Sequence, residues 1–129
     1  MNTIVTIILL TLAIAANGQS TPEIGERYKY IDSLYTDGFK AYLTDFRSQI
    51  YYPSEIKTEG IIGIVYFEAS VDTTGHISDF KILRGIDPRL DIIVKEKFQN
   101  TNGKWRIQID EKNRKIPFII TDYVYFELR

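Results

Sequence analysis

Cysteine is absent from the 129 residues, and its absence removes disulfides, thiolate metal sites and a cysteine nucleophile together. Histidine occurs once, at His76, so no histidine cluster is there to hold zinc and no nucleophile–base pair can be assembled with a choice of base. Charge of one sign is missing as well. Lys and Arg number 16 against 17 Asp and Glu, interspersed, for a formal net charge of −1. No overall field therefore favours nucleic acid or an anionic membrane, and partners must be found by local shape. Proline is limited to four scattered residues, which excludes a rigid proline-rich linker. No internal repeat is present, and 44% hydrophobic with 26% charged residues fits one ordinary globular domain.

A long apolar run is also lacking. Residues 4–16 are apolar apart from Thr6 and Thr11. As a helix these 13 residues reach about 20 Å at ~1.5 Å per residue, short of the ~30 Å hydrocarbon core. Ala16-Asn17-Gly18 follows as a small-x-small step, so residues 1–18 read as a signal peptide cleaved before Gln19. The usual basic start is missing, and an uncleaved anchor is the alternative. Residues 19–129 then form a single domain with a helical extension at about 27–50.

Within that domain the apolar spacing changes period several times. Tyr28, Ile31, Tyr35, Phe39, Tyr42 and Phe46 recur at helical spacing, with a weakness or break at Gly38. Tyr52-Pro53 resets the backbone, and a short helix beginning at Pro53 and ended by Gly60 follows. Val65, Phe67, Ala69 and Val71 alternate with polar residues as in a half-buried strand, Asp72-Thr73-Thr74-Gly75 makes a turn, and Ile77, Phe80 and Ile82 return as its partner. The uneven step from Ile77 to Phe80 predicts a β-bulge near Ser78-Asp79. Asp87-Pro88 opens a helix of about three turns through Leu90, Ile93, Val94 and Phe98. A polar segment around Trp105 leads to a last strand from Phe118 to Leu128, interrupted by Asp122. The expected class is α+β, a small antiparallel sheet of about three strands with helices packed on one face.

Tyr52-Pro53, Gly60, Gly63, Val65, Phe67, Val71, Gly75 and Ile77, then Leu83-Arg84-Gly85-Ile86-Asp87-Pro88 with Leu90-Asp91, and finally Trp105, resemble the C-terminal domain of TonB-type energy-transducing proteins. The likeness covers roughly residues 38–128. It departs at Ile56, where the family has a small residue, and at Ile107-Gln108-Ile109, where the family has a Pro-Gly step. The resemblance implies a periplasmic, non-enzymatic module without cofactor or metal. It would bind the N-terminal box peptide of an outer-membrane TonB-dependent receptor by strand addition. Residues 19–25 reach at most ~25 Å fully extended, so the chain is not expected to carry force across the periplasm by itself.

The resemblance places that partner strand along Phe118, Ile119, Ile120, Thr121, Tyr123, Val124, Tyr125 and Phe126, and a second contact just before the Tyr-Pro step, at Gln49 and Tyr51. The plainer alternative makes Gln49 the solvated end of a helix and Tyr51 a packing residue. Other candidates have plainer readings still: His76 as an exposed residue after a turn, Asp72 as a turn former, Asp87 as a helix cap, and Gly60-Ile61-Ile62-Gly63 as backbone bends rather than a nucleotide loop. Lys104, Arg106, Lys112, Arg114 and Lys115 form a basic cluster whose default is a solvated surface. No nucleic acid and no small-molecule substrate are expected. The competing reading is a self-associating structural or decoy protein, a homodimer joined through unpaired sheet edges.

Overall fold

Helical spacing at the start of the domain produces two helices, α1 (Ile24–Leu34) and α2 (Gly38–Asp45), in a computed structural model that describes residues 24–128. The expected signal peptide and its cleavage point lie outside the described residues. The chain breaks just before Gly38, where Asp37 and Gly38 both take left-handed φ, 66° and 85°. Asp32 of α1 explains the break. Its Oδ1 accepts the Phe39 N–H at 2.8 Å and caps α2, and a Cβ on Gly38 would approach that oxygen to 2.5 Å. A 3-10 turn (Arg47–Gln49) and α3 (Ser54–Thr58) follow, with Pro53 at the cap of α3, one place earlier than expected.

The alternating run forms β1 (Gly63–Val71), and its partner is β2 (Ile77–Arg84). Asp72 holds the turn between them, accepting from the Thr74 N–H at 2.8 Å, the Thr74 hydroxyl at 2.6 Å and the His76 N–H at 3.1 Å. Register shifts occur between Ser70 and Val71, beside the bulge expected near Ser78, and again between Tyr66 and Phe67. Asp87 caps α4 (Pro88–Phe98) through the Arg89 N–H at 2.9 Å. After a second 3-10 turn (Gln99–Thr101) come the short ribbon of β3 (Gln108–Ile109) and β4 (Lys115–Ile116), then β5 (Phe118–Phe126).

The main sheet is antiparallel with the order β2, β1, β5, and β3 with β4 makes a separate two-stranded sheet. This is the α+β architecture read from the sequence, with the ribbon added. Val65, Phe67, Ala69 and Val71 of β1 and Phe118, Ile120, Val124 and Phe126 of β5 are buried on one face. They pack with Leu90, Val94 and Phe98 of α4 and with Tyr35, Tyr42, Phe46 and Trp105. Ile77, Phe80 and Ile82 of the partner strand are only half-buried, because β2 is an outer strand and part of its side-chain surface stays open. No helix among the described residues is long and apolar enough to cross a membrane.

Candidate peptide-binding edge

β5 pairs with β1 in unbroken register from Gly63 opposite Phe126 to Val71 opposite Phe118, and no strand lies on its other side among the described residues. In an antiparallel ladder alternate residues turn their N–H and C=O groups away from the neighbour. Two side-chain donors identify the outward set. The Tyr30 hydroxyl donates to the Ile119 carbonyl at 3.1 Å, and Arg47 Nη2 donates to the Tyr123 carbonyl at 3.1 Å. The outward positions are therefore Ile119, Thr121, Tyr123 and Tyr125, while Phe118, Ile120, Val124 and Phe126 face β1 and the core.

The polar groups under this edge converge on Asp122. Its carboxyl oxygens accept from the Tyr42 hydroxyl at 2.7 Å and from the Tyr123 N–H at 2.8 Å, and Arg47 Nη1 stands 3.7 Å away. The Asp122 side chain is 0% exposed and that of Arg47 23%. An interrupting aspartate in an apolar strand is thus a buried anchor that joins α2, the following 3-10 turn and β5. Sequence reasoning noted Asp122 as an interruption and missed the Tyr42 and Arg47 side chains that meet it, because nothing local in the sequence connects them.

At its C-terminal end β5 borders a cleft of about 310 Å³, lined by Arg47, Ile50, Tyr51, Tyr52, Val124, Tyr125, Phe126 and Glu127. Tyr52 forms the packed wall: its ring meets that of Phe126 at 5.3 Å and its hydroxyl donates to the Ile61 carbonyl. Tyr51 and Tyr125 are 54% and 57% exposed. The structure thus brings Tyr51 to the same cleft as the end of β5. Gln49 is not among the lining residues, and its amide donates to the Thr44 carbonyl at 3.2 Å, as a helix-end residue would.

The remaining candidates have local work. His76 is exposed, with Nδ1 2.9 Å from the Thr74 hydroxyl. In the basic cluster Lys104 pairs with Asp45 at 3.1 Å and Arg114 with Asp110 at 2.8 Å. No group of three or more His, Asp or Glu side chains able to hold a metal ion occurs among the described residues. Comparison with models of known protein families finds no match, and comparison with curated proteins finds no significant relative. The likeness to the TonB C-terminal domain accordingly rests on the residues quoted for it.

Proposed function

We propose that the chain is a periplasmic interaction module that takes up the N-terminal box peptide of an outer-membrane receptor by strand addition on β5, in support of TonB-dependent transport. The observation that carries this reading is the position of β5: it is an outer strand, and its exposed end at Tyr125 borders a cleft shared with Tyr51. Main-chain groups of an incoming strand would supply much of the affinity and the cleft would receive one of its side chains.

The test is titration of receptor box peptides against wild type and Tyr125→Pro, with circular dichroism confirming the fold of each. Proline removes the outward N–H and obstructs pairing, so a loss of about tenfold or more is expected. A folded Tyr125→Pro protein that binds as tightly as wild type overturns the reading. Tyr123→Pro is the poorer probe, since the Tyr123 N–H already serves Asp122. Self-association is the second reading, supported by the open outer side of β2. Light scattering with and without peptide separates the two. Export predicts an intact mass beginning at Gln19 in the periplasmic fraction, and a membrane-bound product retaining Met1 would contradict it.

A further inference from the structure

The outward edge of β5 is not uniformly open. At Ile119 the carbonyl accepts from the Tyr30 hydroxyl, and at Tyr123 the carbonyl accepts from Arg47 while the N–H is held by Asp122. Thr121, between them, is buried. Tyr125 is the exposed member of the set. The residues that close the edge come from α1 and from the 3-10 turn after α2, and Arg47 is itself fixed by the carboxyl of Asp122. Edge strands are commonly covered in this way against unwanted pairing. Here the cover of the edge ends at Tyr123, one outward position before Tyr125, and Arg47, which makes it, is also one wall of the cleft.

We propose that Arg47 sets the register of the partner strand: its hold on the Tyr123 carbonyl stops pairing there, so an extended peptide pairs at Tyr125 and runs outward along the cleft. This rests on the strand-addition reading above. Arg47 is on this account a positioning residue, excluding a longer ladder rather than supplying affinity. The partner chemistry it selects is a short extended segment, one or two residues of main-chain pairing with a side chain in the cleft, not a long strand covering β5.

The experiment uses wild type and Arg47→Met, which keeps an apolar stem while removing the guanidinium. A series of receptor box peptides lengthened residue by residue toward Tyr123 is titrated against each. Amide exchange of the complexes is followed in parallel. In wild type, binding protects the Tyr125 amide, and residues added toward Tyr123 change affinity less than about twofold. In Arg47→Met the guanidinium no longer competes for the Tyr123 carbonyl, a peptide N–H takes its place, and the same residues tighten binding about fivefold, the value of one added main-chain hydrogen bond. If no peptide protects Tyr125 in wild type, strand addition itself fails. If wild type protects Tyr125 and Thr121 together, or gains affinity with every added residue, strand addition stands and the stop at Arg47 is wrong. The wild-type footprint decides this even if Arg47→Met does not fold. A folded Arg47→Met with the wild-type length dependence also overturns the proposal.

Discussion

Asp122 carries more of the structure than its place in an apolar strand suggests. The donors that reach its carboxyl include the Tyr123 N–H beside it and the Tyr42 hydroxyl from 80 positions away in the chain. Removing the hydroxyl takes away a hydrogen bond to a buried, charged carboxyl, so Tyr42→Phe is expected to cost about 1.5–3 kcal/mol in urea denaturation. A loss below about 0.5 kcal/mol would mean that water replaces the hydroxyl. Asp45 and Tyr35 form a second pair, with Oη 2.6 Å from Oδ2. The Tyr35 hydroxyl, and Lys104 after it, hold the Asp45 carboxyl below the usual range, while burial and then Asp45 push the Tyr35 phenol up. Burial does the same to Tyr30. A lowered carboxyl contributes stability above its unfolded value and loses it as pH falls through the folded one. Raised phenols contribute stability below about pH 10 and lose it as pH rises. Stability is therefore expected to be flat near neutrality and to fall on both sides, with Asp45→Asn lessening the acid slope and Tyr35→Phe the alkaline one. Unchanged slopes in both variants would remove this pair from the account.

The β1–β2 hairpin is where sequence and structure agree most closely, because period-two alternation and an Asp-x-x-Gly turn are local and strong signals. Phe67 is central to it. The Phe67 ring packs at 5.6 Å from Phe46, 5.1 Å from Phe80 and 5.0 Å from Phe98. Phe67→Ala is expected to cost about 3–5 kcal/mol by denaturation, against under about 1 for truncation of the exposed Ile92. Comparable losses at the two positions would show that this cluster is not the centre of stability. Where the signals are weaker the sequence reads less well. β3 and β4 span two residues each, too few for any period to register, and their ribbon depends on Asp110 accepting from the Lys112 and Arg114 N–H groups at 2.8 and 2.9 Å. The half-burial of Phe80 and Ile82 follows from strand order, which alternation within one strand does not encode. The closed part of the β5 edge was invisible for the same reason: Tyr30 and Arg47 act from helices and turns remote in sequence.

At the scale of the molecule the question is whether the helical pair α1–α2 is an appendage or part of one cooperative unit. Trp105 answers structurally, through a seam of main-chain and ring contacts. Tyr35 and Trp105 form an isolated antiparallel bridge, flanked by the Thr36 N–H to the Lys104 carbonyl at 2.9 Å and the Arg106 N–H to the Leu34 carbonyl at 2.8 Å. The Trp105 ring meets Tyr35 at 4.8 Å, Tyr42 at 5.7 Å and Phe98 at 6.0 Å, so one side chain touches the helical pair and α4 at once. Its Nε1 donates to the Thr101 hydroxyl at 3.0 Å, which satisfies the only polar atom of a nearly buried ring. Gly75 seals the same seam from the hairpin side, where a Cβ would collide with the Trp105 carbonyl oxygen. Elements sharing so many buried partners should not melt separately. The urea transition followed by Trp105 fluorescence is expected to superimpose on that followed by far-ultraviolet circular dichroism, with a slope of about 1–3 kcal/mol per molar. A Trp105 transition at lower urea, with only part of the far-ultraviolet signal lost alongside it, would show instead that α1 and α2 detach first, since Trp105 lies on their seam. In that case the hold of Tyr30 and Arg47 on β5 would be a local, reversible cover, and the edge would open without unfolding the sheet.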